Sequence, residues 1–173
     1  LPLTLKRKYP MIVSFIFLGL VSLIYFLKVT INITPSMPEG IYIRSYGKIN
    51  AGDIISFCLT KPYQTLGLKN HYLEIGQQCN GSVSLIKKVL GVPGDNLVIA
   101  NDFIRVNDKL YPYKTLFLDA EGRKLTFYPR GNYAHTKGYF VIGTHALNSW
   151  DSRYFGFIKK TQILYKAKPV ITW

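Results

Sequence analysis

The stretch "NLVIANDFIRVNDKLY", residues 96–111, decides the fold class, because three short runs of strand-forming residues are interrupted by two Asn-Asp pairs. Branched and aromatic side chains favour strands, and Asn and Asp favour the turns between them. The interruptions fall at Asn101-Asp102 and Asn107-Asp108. The segment therefore predicts consecutive short strands joined by turns, which is typical of an antiparallel sheet.

The same pattern of short strands and turn residues continues through the chain after residue 39. Apolar or alternating runs lie at "GIYIRSY", "DIISFCL", "SVSLIKKVLGV", "GYFVIGT" and "ILYKAKPVIT", with Gly and Asn or Asp between them. Residues 60–80 and 111–137 form two excursions between strands. We therefore expect a mostly β domain, built as an antiparallel sheet or a barrel-like structure.

A different pattern precedes the β region, because "MIVSFIFLGLVSLIYFL", residues 11–27, contains no charge. As a helix this segment spans roughly 26 Å, and Val29–Ile33 would extend it past Lys28. A cleavable signal peptide has the same order of basic and apolar residues, but no small-residue cleavage site follows. We therefore predict a cytoplasmic basic tail at 1–10, a transmembrane anchor at 11–30 and an extracytoplasmic domain at 31–173.

The charge distribution indicates an orientation for this anchor. Lys6, Arg7 and Lys8 precede the apolar segment and only Lys28 directly follows it, so the positive-inside rule places the N-terminus in the cytoplasm. The chain has a net charge of +13. Without the four cations just named, 18 of the 22 remain against nine acids, which gives the domain a net charge of +9 and suits contact with a lipid bilayer. A generally basic surface is an equal alternative. Because the cations are scattered, nucleic acid is not an expected partner.

Two cysteines in an oxidising compartment permit one disulfide. A Cys58–Cys79 bridge would close a loop of about 20 residues and stabilise the fold by on the order of 3 kcal/mol. The cysteines lack the paired spacing of metal ligands, and the three histidines, His71, His135 and His145, are isolated. No metal site and no cofactor are therefore expected.

The segment "TPSMPEG", residues 34–40, places Ser36 between two prolines. Pro35 has a fixed φ, and Pro38 pushes Met37 toward an extended backbone, so a helix is excluded. The segment predicts that Ser36 is held on a stiff, extended entry to the next strand. Such a position suits a nucleophile, and it equally suits an ordinary exit from a membrane helix.

The run "SVSLIKKVLG" contains two adjacent lysines with different predicted surroundings. With a period of two, Lys87 shares a face with Leu85 and Val89, whereas Lys88 lies on a mixed face. Burial lowers the pKa of a lysine and makes it a base near neutral pH. The alternative is that Lys87 lies near a sheet edge and reaches water. Together with Ser36, a buried Lys87 suggests a serine–lysine dyad.

Three segments, "SMPEGIY", "LIKKVLGVPGD" and "NSWDSRYFG", resemble in order and spacing the signature boxes of type I signal peptidases, the S26 family. The single Met-Pro after the serine, "YLEIGQQCNG" and "DAEGRKL" further resemble the TraF-type conjugative transfer peptidases of that family. The resemblance extends from the apolar segment to about residue 158. It implies a single-pass protein of the inner membrane with a serine endopeptidase domain in the periplasm.

The resemblance assigns roles to individual residues. Ser36 matches the nucleophile and Lys87 the general base, in agreement with the strand pattern. Thr34 matches a hydroxyl that helps the Ser36 N–H line the oxyanion hole, and Ser149 matches the serine that orients the lysine amine. These assignments define a site built from three distant parts of the chain.

The third box, "NSWDSRYFG", also supplies a buttress for the site. Asp151 and Arg153 match the buttressing residues, and the aspartate takes part in activity in TraF-type enzymes. The alternative for this pair is a turn closed by a local ion pair. The preceding residues depart from the housekeeping enzymes, which have an acidic Gly-Asp-Asn opening where this chain has Thr144 and His145. The roles of those two positions stay open.

The resemblance implies a peptidase that cleaves, and can also cyclise, a pilin precursor or a similar membrane-proximal protein, with the conjugation apparatus as a further partner. The sequence does not decide between water and an amine as the group that attacks acyl-Ser36. Met37, Tyr42 and Ile86 are expected to line shallow pockets for small substrate side chains. The alternatives are a housekeeping-type signal peptidase I and a non-enzymatic assembly factor that retains a peptidase fold.

Overall fold

The computed structural model describes the backbone of residues 3–173 and the side chains of residues 9–23, 26 and 28–173. The side chains of Lys6, Arg7 and Lys8, on which the predicted orientation depends, lie outside the described part. The helices and strands of the protein, in chain order, are α1 Leu3–Leu27, β1 Val29–Asn32, β2 Gly40–Ser45, β3 Ile54–Phe57, α2 Tyr63–Lys69, β4 Ile75–Gly76, β5 Gly81–Ser82, β6 Leu85–Gly91, β7 Leu97–Ile99, β8 Ile104–Val106, β9 Lys109–Tyr111, β10 Gly131–Tyr133, β11 Phe140–Ile142, α3 Ser152–Phe155 and β12 Ile163–Thr172.

The larger sheet has six antiparallel strands in the order β1-β2-β12-β3-β6-β11. The predicted antiparallel β fold is confirmed. The barrel-like alternative is wrong, because no ladder joins β1 to β11 in the described part of the chain and the sheet stays open at these two edges. Strand β6, which carries Lys87, lies inside the sheet between β3 and β11. Lys87 therefore does not lie at a sheet edge.

The segment that decides the fold class forms most of the smaller sheet, whose order is β10-β7-β8-β9. The hairpin between β8 and β9 closes at the Val106–Lys109 pair around Asn107-Asp108. Asn107 has a φ of 50°, in the left-handed region that asparagine tolerates. The strands and turns predicted from residues 96–111 are therefore confirmed.

The first excursion contains α2 and β4, which pairs with β5 directly after it, and the predicted Cys58–Cys79 bridge at its base is confirmed. The second excursion holds β10 and an isolated bridge between Leu118 and Lys124. An aromatic and aliphatic cluster, which includes Phe57, Val89, Val141, Trp150 and Phe155, packs α3 and its flanking loops onto the larger sheet. Both excursions are thus held beside the strand that carries Lys87.

The junction between the N-terminal helix and the sheet differs from the sequence prediction. Helix α1 ends at Leu27, Lys28 turns the chain with a φ of 49°, and Val29 begins β1. The expected extension of the helical segment past Lys28 is wrong, because Val29–Asn32 forms four antiparallel pairs with β2. The chain therefore enters the sheet directly before the segment that carries Ser36.

The predicted transmembrane anchor over residues 11–30 is not confirmed. Among the residues that the structure describes, none of the helices combines the length and the apolar character needed to cross a bilayer.

Candidate active site

The Ser36 loop, residues 33–39, connects β1 to β2 and carries the candidate nucleophile. Ser36 lies in a turn, not on the extended strand entry that the prolines predicted, because the chain must reverse between two antiparallel strands. Met37 is 1% exposed and packs against Tyr42 and Ile86. Burial of a methionine contributes roughly 2 kcal/mol, so the loop is anchored beside Ser36.

A cavity of about 570 Å³ lies between the Ser36 loop, β6 and the two excursions. Four of the residues predicted for the site line it, namely Thr34, Ser36, Lys87 and Ser149. Of the three residues expected to form substrate pockets, Ile86 lines this cavity, whereas Met37 and Tyr42 are buried in the core beneath the loop. The structure therefore brings the predicted dyad together around one cavity.

Lys87 is buried at 2% exposure, whereas its neighbour Lys88 is exposed. The alternation predicted for β6 is therefore confirmed at both positions. Burial lowers the pKa of Lys87 from 10.5 to about 8, because an ammonium is poorly solvated there; the charge of Asp151 opposes this pKa shift and that of Arg153 adds to it. A substantial fraction of the Lys87 amine is thus neutral at mildly alkaline pH.

The Lys87 amine donates a hydrogen bond to the Ser149 hydroxyl, with 3.0 Å between Nζ and Oγ. Ser149 is itself buried, in the loop between β11 and α3. Among the described contacts, no hydrogen bond joins Lys87 to Ser36. The position of the amine in the cavity is therefore set by Ser149, in the role that the resemblance implied for this serine.

Gly143 is a site residue that the sequence analysis missed. A β-carbon on Gly143 would lie 2.0 Å from the Ser149 hydroxyl oxygen and 2.9 Å from the Ser36 carbonyl oxygen. Only glycine lets the end of β11 approach both segments so closely. A glycine at the end of the apolar run "YFVIG" was the available signal, since glycine in a strand often marks a close backbone approach.

Asp151 and Arg153 form a buried ion pair behind this contact. Arg153 donates to both carboxylate oxygens of Asp151 at 2.8 and 2.7 Å, and both side chains are at most 3% exposed. Asp151 also accepts the backbone N–H of Gly143 at 3.0 Å, and Arg153 donates to the Ser149 carbonyl at 3.1 Å. Neither residue lines the cavity. The two interpretations of the sequence, a local ion pair and a buttress for the site, therefore describe the same pair of residues.

The two positions at which the sequence departs from the housekeeping enzymes contact the Ser36 loop. The backbone N–H of His145 donates to the Ser36 carbonyl at 3.2 Å. The Thr144 hydroxyl lies 3.7 Å from the Met37 sulfur. His145 therefore holds the loop through a backbone group that any residue could supply, whereas Thr144 contacts it through its side chain.

Thr34, the predicted oxyanion residue, directs its hydroxyl hydrogen away from Ser36. Its Oγ1 donates to the Asn32 side-chain oxygen at 2.7 Å. Asn32 is buried at the end of β1 and was not singled out in the sequence. The Thr34 hydroxyl must therefore rotate before it can donate to a substrate.

Comparison with known families matches residues 5–173 to the family described as signal peptidase, peptidase S26. The match includes the Ser36 loop, β6 and the Asp151–Arg153 pair. Together the antiparallel fold and the serine–lysine cavity define a protein of the signal-peptidase class. The chain belongs to the peptidase S26 family.

The relatives divide by how much of their length is matched. The "Plasmid transfer protein TraF" of Escherichia coli is 31% identical over 146 residues, which cover 83% of this chain and 82% of the relative. The "Conjugal transfer protein TraF" of Agrobacterium fabrum is 28% identical over 147 residues, with the same two coverages. "Signal peptidase I" of Bacillus caldolyticus is 37% identical over 103 residues, which cover 51% and 53%. The resemblance to the TraF-type members of the family is confirmed.

Proposed function

We propose that this chain is a serine endopeptidase in which Ser36 is the nucleophile and Lys87 the general base. The observation that supports this most strongly is the buried Lys87 amine in the cavity that Ser36 lines. Burying an ammonium costs several kcal/mol unless its charge is paired. Lys87 has a hydroxyl partner in Ser149, and Asp151 already pairs with Arg153. A neutral amine that accepts a proton fits these surroundings.

In the proposed reaction, neutral Lys87 takes the proton of the Ser36 hydroxyl, and the Ser36 oxygen bonds to the carbonyl carbon of the substrate. The tetrahedral intermediate collapses, the C–N bond breaks, and Lys87 gives the proton to the leaving amine. Water then attacks the ester carbon of acyl-Ser36 and passes a proton to Lys87. The bond between this carbon and the Ser36 oxygen breaks, Lys87 returns the proton to that oxygen, and the linear product leaves. An amine of the substrate can attack the same ester and give a cyclic product.

The remaining residues position this dyad. The Ser36 backbone N–H and the Thr34 hydroxyl, once it rotates from Asn32, are the donors that we assign to the oxyanion. Ser149 orients the Lys87 amine. We assign Asp151 a positioning role, because its carboxylate is engaged by Gly143 and Arg153 and does not reach the cavity.

We propose that the substrate is an exported protein of a conjugation system, in the first place a pilin precursor. The relatives that match over most of their length are named for plasmid or conjugal transfer. The signal peptidase I relative matches only about half of this chain, so a housekeeping role is the second candidate. The conjugation apparatus is the further partner that this proposal implies.

We also propose that the domain works at a bilayer surface, in the periplasm, with α1 as its lipid contact. The support is the large apolar side chains that α1 exposes, among them Met11, Ile12, Phe15, Phe17 and Phe26. Flotation with lipid vesicles on a density gradient tests this contact. The protein should float with the vesicles, and its recovery at the bottom of the gradient would contradict the proposal.

The test of the enzymatic proposal is co-expression with a pilin precursor from the same operon, followed by mass measurement of the product. Wild type should shorten the precursor, and a product lighter by one water than the linear form would establish cyclisation. Ser36→Ala should leave the precursor untouched. Ser84→Ala is the matched control, because Ser84 lines the same cavity and has no role in the dyad. Wild-type processing by Ser36→Ala would end the proposal, and an untouched precursor with wild type would favour an assembly factor.

A further inference from the structure

Asn32 is an amide residue within the otherwise apolar or branched run "VTINI", directly before the Ser36 loop. It is 4% exposed and forms the last pair of the β1–β2 ladder, opposite Gly40. A buried amide is costly unless its donors and acceptor find partners. Its side chain is therefore expected to be committed to specific contacts.

The side-chain nitrogen of Asn32 faces three backbone carbonyls of the loop. Nδ2 lies 3.1 Å from the Thr34 oxygen, 3.2 Å from the Met37 oxygen and 3.0 Å from the Pro38 oxygen. One of these carbonyls precedes Ser36 in the chain and two follow it. The amide thus connects both sides of the turn that presents the Ser36 hydroxyl.

The side-chain oxygen of Asn32 faces Thr34. It accepts the Thr34 backbone N–H at 3.3 Å and the Thr34 hydroxyl at 2.7 Å. The orientation of the amide is determined by its surroundings, because only an NH₂ group can face three carbonyl oxygens. Exchanging the two ends of the amide would leave those carbonyls opposite an oxygen.

We propose that Asn32 is the positioning residue of the nucleophile loop: its amide fixes the backbone on both sides of Ser36. The proposal rests on the function proposed for Ser36 and Lys87, and it adds a residue whose hydrogen bonds go to the Ser36 loop and not to Lys87. A displacement of a reacting group by about 1 Å can lower a rate on the order of 100-fold. Loss of the Asn32 contacts is therefore expected to slow the attack of Ser36.

The decisive variant is Asn32→Asp, which has nearly the same shape. It keeps an oxygen toward Thr34 and replaces the NH₂ group that faces the three carbonyls. An ionised aspartate donates to none of them, and a protonated one donates to at most one. The variant therefore removes the contacts around the turn with little change in packing.

The measurement is the acylation of Ser36 by a serine-directed penem, resolved into the affinity of the first complex and the rate of acyl transfer. For Asn32→Asp, the rate of acyl transfer should fall about 100-fold, while the affinity of the first complex changes less than about threefold. The midpoint of the pH dependence of acyl transfer should stay at its wild-type value, because Lys87 sets it. Gln64→Glu is the matched control, because the Gln64 amide is also buried and donates to Cys79 and Ser82 away from the Ser36 loop. It should lose stability and keep the wild-type rate of acyl transfer.

Wild-type acyl transfer by folded Asn32→Asp would overturn the proposal, and so would equal losses in Asn32→Asp and Gln64→Glu. If Asn32→Asp does not fold, Asn32→Ser replaces it under the same criteria. A wild-type protein that the penem does not label would instead refute the function proposed for Ser36. The two failures are therefore distinguishable.

Discussion

Gly143 lies so close to Ser149 that a β-carbon on the glycine would be 2.0 Å from the serine hydroxyl oxygen. The same hydroxyl accepts the Lys87 amine at 3.0 Å. The backbone N–H of Gly143 in turn donates a hydrogen bond to the Asp151 carboxylate. The contact between the Gly143 backbone and the Ser149 side chain thus sets the position of the proposed base.

Gly143→Ala should displace the Ser149 hydroxyl and lower Ser36 acylation on the order of 100-fold, because a misplaced base loses its geometry with the nucleophile. Acylation by a penem below the melting temperature measures this. Gly138→Ala is the control, because its β-carbon would also be crowded, at 2.8 Å from Phe157 Cβ. Neither Gly138 nor Phe157 lines the cavity. Equal losses of acylation in the two variants would mean that crowding acts only through stability.

The acylation rate should rise with pH through the pKa of Lys87, which burial lowers to about 8. The base must be neutral, so the rate increases about tenfold per pH unit below this value and levels off above it. A pH series from 6 to 10 with the penem measures the midpoint. A rate that falls as the pH rises through 8 would exclude Lys87 as the base.

Asp151→Asn should move this midpoint to lower pH. The charge of Asp151 raises the pKa of Lys87 and that of Arg153 lowers it, so removing the carboxylate leaves the depressing contribution alone. The variant should also lose about 3 to 5 kcal/mol of stability, because Arg153 becomes an unpaired buried charge. The rates are therefore compared at a temperature where the variant is folded, and an upward shift of the midpoint would contradict this prediction.

Lys87→Met should be more stable than wild type at neutral pH. The unfolded lysine keeps a pKa near 10.5 and the folded one has a pKa of about 8, so the unfolded state binds more protons between these values. Wild-type stability therefore rises with pH across this interval, by about 2 to 3 kcal/mol between pH 7 and pH 10. Urea unfolding at both pH values should show the advantage of Lys87→Met shrink by that amount. Lys88→Met, at an exposed position, should show little change.

The strands and the buried lysine could be predicted because their signals are local. The Asn-Asp pairs mark the turns of residues 96–111, and period-two alternation separates Lys87 from Lys88. Strand β1 was missed because Val29–Asn32 follows an apolar segment with no break other than Lys28. What makes it a strand is the ladder with β2, which sequence pattern does not reveal.

The contacts that build the site depend on residues that are distant in the sequence. Gly143 meets Ser36 across more than 100 positions, and no local pattern reports such an approach. Asn32 resembled an ordinary polar residue at the end of an apolar run. Its importance follows only from the path of the loop that closes around it.

The most direct test of the central claim is to locate the penem adduct by mass spectrometry in the wild-type protein, in Lys87→Ala and in Lys88→Ala. The account predicts one adduct on Ser36 in wild type, none in Lys87→Ala, and a near-wild-type level in Lys88→Ala, because only Lys87 lines the cavity with Ser36. An adduct on another residue, or labelling of Lys87→Ala at the wild-type rate, would contradict the serine–lysine dyad.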